Sequence, residues 1–422
     1  MNTSNIFELG LGITSPWQIV EQSLDTSIDP HRLELKIKTD RGAQFPCPDC
    51  GKLCKAHDFT ERTWRHLNFF QHHCYITAPV PRVNCAEHGV KATIPPWTRK
   101  GSHFTLMFEA TVMMLAHEMP IAALARYVEE NDTRLWKLIN HYVLKAVSKL
   151  DLSEVQAVAL DETSSKRSHN YVTVFIDMER KDKPVLFVTP GKGKATVASF
   201  KEHLKAHGGS ASNILEVVCD MSPAFIASSK EHFENAEITL DWFHVTALVS
   251  RAMEDVRKSE SKHTLMPKHL RWAILKNVDK LKPDQQDALI DLQKTNLATA
   301  NAWRCKESLK WVRQAKTPRA AAWRLTNFLN YYKDLLREKI YEPVHKALRT
   351  IESKRSMIER RWKSTYSNAR LEGLNGLFQA ARARARGYRN QHTFMTMIYL
   401  IGAPLGKIIE TFTQPPKTPL SI

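Results

Sequence analysis

The sequence contains no run of 18 or more apolar residues, so no membrane-spanning helix is expected. Its first residues, MNTSNIFELG, lack the basic-then-apolar pattern of a secretion signal. Acidic residues are in deficit: 44 Asp and Glu face 61 Lys and Arg, a formal net charge of +17. Such a surplus says nothing about fold, but it favours a polyanionic partner, and nucleic acid is the commonest one. Cysteine is scarce and odd in number. Of seven in 422 residues, Cys47, Cys50, Cys54, Cys74 and Cys85 crowd one region with several histidines. Without a secretion signal, this points away from a disulfide framework and toward a metal site in a reducing cytoplasm.

The length suggests two to four domains, and 43% hydrophobic residues suffice for real cores. CPDCG at 47–51 and CAEHG at 85–89 are two short knuckles, each followed by a glycine that tolerates a tight turn. Two such loops complete a tetrahedron, so Cys47, Cys50, Cys85 and His88 are the expected ligands of a structural Zn2+. Cys54, Cys74, His57, His66, His72 and His73 compete for that role; Cys54 lies too near Cys50 to be needed, and Cys74 sits in a strand-like run. Four protein ligands close the site, so the ion should stabilise rather than catalyse.

Residues 103–150 read as helical. PIAALARYV forms a short helix opened by Pro120, EEND turns the chain, and Thr133 or Asp132 can cap a second helix, RLWKLINHYVLKAV. This is the outline of a helix-turn-helix, or of a plain helical hairpin; on the former reading Arg134 and Lys137 reach DNA.

From Val155 the periodicity becomes extended. Strands are expected at 155–162, 171–179, 184–191, 214–220 and 236–245, with helices at 194–208 and 223–233. Three strands followed by helix, strand, helix and strand is the element order of the RNase H-like fold. Asp161 is expected to end the first of these strands and Asp220 the fourth, facing each other closely enough to need a cation. Ser222 and Pro223 supply a cap and first turn, which leaves Asp220 without a structural role. Glu162 points away from Asp161 on a strand.

A third acid is expected on a late helix, SNARLEGLNGLFQAARARARGYRN (367–390). Leu371, Leu374, Phe378, Ala381 and Ala385 form its apolar stripe; Glu372, Asn375, Gln379, Arg382 and Arg386 form a polar one. Gly373 and Gly376 are expected to let the helix backbone lie close against a sheet. The roughly 120 residues before it are helix-rich, with Trp, Lys and Arg throughout, and read as a helical insertion whose Trp side chains pack internally. The run ESKRSMIERRWKS reads as a solvated helix face. The fold class is therefore multidomain α+β: an N-terminal β segment (1–40), a zinc-finger module (41–100), a helix-turn-helix region (101–150), an RNase H-like α/β core (151–245), an all-helical insertion (246–365), the core's final helix (366–405) and a tail (406–422).

The motifs CPDCG, VPRVNCAEHGV, ALDETSSKR, CDMSPAF, LDWFHV and NARLEGLNG, in this order, resemble those of the ISL-three family of bacterial insertion-sequence transposases, over about residues 40–405. The resemblance implies a DDE-type enzyme in which Asp161, Asp220 and Glu372 form the catalytic triad, with an Asp-x2-His element at Asp241 and His244. Asp241 reads without it as a helix cap. The expected chemistry is DNA cleavage and strand transfer at terminal inverted repeats, with two Mg2+ ions (or Mn2+) per active site held by Asp161, Asp220 and Glu372. Lys166, Arg167, Arg382 and Arg386 are expected phosphate contacts. The expected partners are double-stranded terminal-repeat and target DNA, with a homodimer pairing two ends, in the bacterial cytoplasm at the nucleoid. A DNA-binding regulator that does not cut, and a nuclease or resolvase on the same core, are the rival readings.

Overall fold

The computed structural model describes residues 7, 8, 10–166, 170–266, 270–276, 280–295, 297–364, 366, 369–406 and 409. They divide into two compact units, residues 1–149 with 405–422, and residues 150–404.

The first unit begins with β1 (Trp17–Asp25), β2 (Arg32–Thr39), β3 (Gln44–Pro46), β4 (Leu53–Phe69), β5 (His72–Cys85) and β6 (Gly89–Ala92). They form one sheet in the order β1-β2-β5-β4-β3, with β6 paired to β5. The β2–β5 pair is parallel and the rest antiparallel. Period-2 alternation buries Ile76, Ala78 and Val80 of β5. Beside them, Trp17 and Trp64 each meet Trp97 edge to face. Three helices follow: α1 (Leu106–Glu118), α2 (Ile121–Tyr127) and α3 (Asp132–Val147). In α3, Leu135, Leu138, Ile139, Tyr142, Val143 and Ala146 recur at helical spacing and are all buried.

The second unit starts with β7 (Ala157–Lys166), β8 (Asn170–Asp177) and β9 (Val185–Pro190), then α4 (Lys194–Ala206), β10 (Glu216–Cys219), α5 (Pro223–His232) and β11 (Glu237–Leu240). The sheet order is β11-β10-β7-β8-β9, with β7, β8 and β9 an antiparallel meander and β10 and β11 parallel to β7. This is the arrangement of the RNase H-like fold. Helices then run on as α6 (Trp242–Glu260), α7 (Leu270–Leu275), α8 (Pro283–Gln293), α9 (Ala298–Arg313), α10 (Pro318–Leu335), α11 (Glu342–Ser353) and α12 (Arg355–Glu359). Finally α13 (Ala369–Arg384) packs on β7 and α14 (Gln391–Gly402) on β9. A Cβ on Gly402 would fall 2.5 Å from Val185 Cγ2, so only glycine allows α14 to lie this close.

Several local expectations are corrected. Asn131, not Thr133 or Asp132, caps α3, its side chain accepting from the Thr133 N–H at 2.8 Å. Residues 242–245 are the first turn of α6 rather than the end of a strand. The run 352–364 is not a solvated face: Arg360 reaches Glu216 (3.8 Å) and Glu237 (3.4 Å) on β10 and β11, and Arg355 donates to the Ala322 carbonyl and the Thr326 hydroxyl. Among the Trp side chains of the helical segment, Trp303 is buried, but Trp272, Trp311 and Trp323 are exposed.

Candidate active site and metal centre

The knuckles sit at the ends of hairpins. Cys47 follows β3, its N–H donates to the Lys52 carbonyl, and the Gly51 N–H returns to the Cys47 carbonyl. Cys85 closes β5 opposite Gly89 at the start of β6. Gly51 (φ +75°) and Gly89 (φ +66°) take the left-handed backbone that each turn demands. The ligand atoms of Cys47, Cys50, Cys85 and His88 lie within 4.8 Å of one another. Cys50 Sγ is 3.7 Å from Cys85 Sγ, and Cys85 Sγ is 3.6 Å from His88 Nδ1. A tetrahedral zinc with Zn–S near 2.3 Å separates its sulfurs by about 3.8 Å, so the donor set and spacing fit a structural zinc ion. The His88 imidazole beside it, with backbone N–H groups of Glu87 and His88, pulls the Cys85 thiol down to about 6, toward the thiolate a metal requires. Of the competitors, Cys74 is buried with Leu33 and Leu35, and Cys54 lends its thiol to the Lys52 carbonyl. His66 bonds to Thr105, and His73 pairs with Glu129.

Glu129 itself has φ +52°, which bends the chain between α2 and α3. Arg134 stands at the first turn of α3, but its guanidinium is occupied: it donates to both carboxylate oxygens of Glu130 (2.8 and 2.9 Å) and lies 4.6 Å above the Phe104 ring. Lys137, one turn on, is exposed. The sequence reading missed Glu109, which is fully buried in α1. It accepts from Arg99 (2.9 Å), Ser102 (2.6 Å) and the Tyr142 hydroxyl, and so ties α3 to α1 and to the preceding loop. An acid at a core position of an apolar helix is the signal that could have exposed it.

In the second unit, Asp161 lies in the middle of β7, not at its end, paired across to Val174 of β8. On its other side β10 pairs only as far as Ala159 and ends at Cys219. Asp220 therefore emerges beside Asp161 where the parallel ladder stops. Asp220 does have a structural role, because its Oδ1 accepts from the Ser222 N–H (2.9 Å), while the Ser222 side chain makes no cap. Asp241 caps α6, accepting from the Phe243 N–H (3.2 Å), and its other oxygen is buried without a partner. His244 Nε2 stands 3.9 Å from that oxygen.

Glu372 is in the first turn of α13. Burial, then the neighbouring Asp241 and Asp161 charges, push its carboxyl up, with His244 opposing. Burial, with Asp220 and Asp241 adding and His244 opposing, pushes Asp161 up to about 6. Glu162, although on the alternate side of the strand, feels Lys192, Asp220 and His244, and burial raises it too. The acids thus share one electrostatic neighbourhood, with the Glu372 carboxyl beside that of Asp241, although among the described residues only the Cys/His set brings three or more ligand atoms within 4.8 Å of one another.

Leu371 and Phe378 of α13 are fully buried, as their stripe implied. Gly373 and Gly376 are exposed and meet nothing, so close approach of this helix owes nothing to them. Arg382 donates to the Ser164 carbonyl (2.6 Å). Arg386 lies beyond the helix at φ +55°, exposed, because the polar stripe ends with the helix. Lys166 donates to the Arg389 carbonyl (2.7 Å), and Arg167 lies outside the described residues.

Known proteins share these features. Residues 158–398 match a family model described as a transposase, residues 93–143 one described as the helix-turn-helix domain of transposase family ISL3, and residues 43–88 the zinc-finger of transposase IS204/IS1001/IS1096/IS1165. The chain is 25% identical to the transposase for insertion sequence element IS1001 of Bordetella parapertussis, over 83% of this chain and 87% of that one. It is 25% identical to the transposase for IS1557 of Mycobacterium tuberculosis, over 75% and 78%.

Proposed function

The chain belongs to the ISL3 family of insertion-sequence transposases, and from that premise we propose that it binds terminal inverted repeats, cuts DNA beside them and joins the freed end to a target. The reading rests above all on four acids, Asp161, Asp220, Asp241 and Glu372, converging from four distant segments around His244. Asp161, Asp220 and Glu372 are the proposed triad. Hard carboxylate oxygens, two of them pushed up by burial and by their neighbours' charge, are the donor chemistry that Mg2+ or Mn2+ satisfies. Two such ions, when bound, lower the pKa of a water or a 3′-hydroxyl and offset charge on the leaving oxygen.

The chain's own residues set up that chemistry. Burial keeps Asp161 in a drier setting, where its charge acts strongly. His244, 3.9 Å from the unpartnered oxygen of Asp241, is placed to contact that carboxylate or the DNA once substrate is bound. DNA is drawn by the overall positive charge, with Lys137 on the exposed side of α3 as a base or phosphate contact and Lys166 at the end of β7 as a phosphate contact. Arg134, held by Glu130 over Phe104, shapes the start of that helix unless DNA displaces the acid. A homodimer is proposed because two ends must be paired.

The test is Asp161→Asn in a Mg2+-dependent assay on duplex carrying a terminal repeat, with strand transfer into plasmid as a second product. Cleavage and joining should both vanish while the mobility shift persists. Wild-type protein that binds but never nicks indicates a regulator, and one that cuts but never joins indicates a nuclease or resolvase.

A further inference from the structure

We propose that Asn375 is a positioning residue for Asp161, at the head of a polar ladder that fixes where Glu372 stands. This deepens the reading of Asp161 and Glu372 as catalytic and rests on it. The amide Nδ2 of Asn375 donates to Asp161 Oδ2 at 2.9 Å. One turn on, Gln379 donates to the Thr163 hydroxyl (2.7 Å) and the Ser164 carbonyl (3.0 Å). Next, Arg382 donates to the Ser164 carbonyl (2.6 Å) and to Gln379 Oε1 (2.9 Å).

The ladder stays in step for a geometric reason. Seven helical residues, from 375 to 382, advance about 10.5 Å at 1.5 Å each, and three strand residues, from 161 to 164, advance about 10 Å at 3.3 Å each. Helix and strand therefore run together, and Glu372 is delivered one helical step before Asp161, toward Ala159, where β10 stops pairing and Asp220 emerges.

The ladder also sets the Asp161 carboxylate. Oδ1 accepts the Glu162 N–H at 2.8 Å and Oδ2 accepts Asn375, so the group cannot rotate without losing both bonds. Each oxygen keeps a further lone pair for a cation. Position 375 needs a neutral donor: a carboxylate there would repel Asp161. The opposite end of the same amide, Oδ1, is buried without a hydrogen-bond partner, which costs stability.

The experiment uses full-length, zinc-loaded protein with Asn375→Ala and Asn375→Leu, the second close in size so that packing is kept. Mn2+ affinity is read by electron paramagnetic resonance titration, and single-turnover cleavage is read on end-containing duplex at saturating DNA. Outer-shell partners of metal ligands typically govern about 10–100-fold in affinity or rate. Both variants should lose about 10-fold or more in Mn2+ affinity and in cleavage rate, with DNA affinity and thermal midpoint close to wild type. Values within twofold of wild type overturn the proposal. So does an equal loss in Gln379→Ala, because docking of the helix in general, not the amide at 375, would then govern. If Asp161→Asn itself keeps Mn2+ binding and cleavage, the underlying reading fails; if that variant loses both while the Asn375 variants lose neither, only the positioning role fails.

Discussion

The Cys/His cluster of the first unit and the acid group of the second are both built from residues far apart in sequence, yet among the described residues only the first brings three or more ligand atoms within 4.8 Å of one another. The sulfur and imidazole atoms stand within 4.8 Å of one another on hairpin ends. The carboxylates share an electrostatic neighbourhood, with Glu372 beside Asp241, but no three of them come that close together. A thiol and a neutral imidazole carry little mutual repulsion, so hairpin geometry alone can gather them. Carboxylates repel, and three of the four here have a prior engagement: Asp220 with Ser222, Asp241 with Phe243, Asp161 with Glu162 and Asn375. A closed tetrahedron suits an ion that holds the fold, and an open arrangement suits one that must share ligands with substrate.

The largest effect that would test this contrast is zinc loss. Structural zinc supplies about 10–16 kcal/mol of apparent binding energy in small modules, comparable to the whole stability of a domain, about 5–15 kcal/mol. Cys85→Ser should abolish bound zinc, measured by metal analysis, and leave residues 1–149 protease-sensitive, while residues 150–404 stay protected. Zinc-free protein with intact protection would show that the hairpins fold unaided. On the acid side, Glu372→Gln should leave stability within about 1 kcal/mol, as surface changes do, and slow single-turnover cleavage by about 10²- to 10³-fold, the several kcal/mol that charge stabilisation at a metal site supplies. Lower stability with normal cleavage would reverse the contrast.

How far the sequence reached differs between the two regions for the same physical reason. Knuckle spacing is local, so Cys47, Cys50, Cys85 and His88 could be named from it, together with the glycines that turn each loop. The acids could be grouped only through a fold order and a family resemblance, because their neighbourhood arises from sheet topology. Their local roles were misread where backbone detail decides: Asp220 rather than Ser222 bonds the entry to α5, and Asp161 sits within β7 because that strand continues against β8 after β10 has stopped. Periodicity found both the apolar and the polar stripe of α13, but it could not assign the individual bonds that Asn375 makes to Asp161 and Gln379 to Thr163. Glu109 was missed, although an acid at a core position of an apolar helix was there to be read; its partners Arg99, Ser102 and Tyr142 were not.

Glu109 offers a third, smaller test, in the metal-bearing unit but independent of the metal. Glu109→Ala strands Arg99 and Tyr142 in the core, and breaking a buried pair typically costs about 3–5 kcal/mol. The denaturation midpoint of the zinc-loaded protein should fall accordingly, while zinc content is unchanged. Zinc loss alongside would mean that the metal and the helices form one cooperative block.

The smallest expected effect concerns His66, whose Nδ1 lies 2.8 Å from the Thr105 hydroxyl. That hydroxyl accepts the Phe108 N–H at the start of α1 and keeps its own proton to donate to a neutral ring nitrogen. Burial, reinforced by the Arg65 charge, holds the imidazole down at about 4, against 6.5 in the unfolded chain. A depressed histidine pKa means that the unfolded state binds the proton first. Its stability contribution is therefore complete above pH 6.5 and is lost as pH falls from 6.5 toward 4. Between pH 7 and 5.5 the loss should be about 1 kcal/mol. Zinc ligands also take up protons on acidification, so the discriminating measurement is the difference between wild type and His66→Gln in zinc-saturated denaturation at both pH values. The variant should be less pH-dependent by about that amount. Equal pH dependence in the two proteins would show that His66 contributes nothing to the acid sensitivity of this unit.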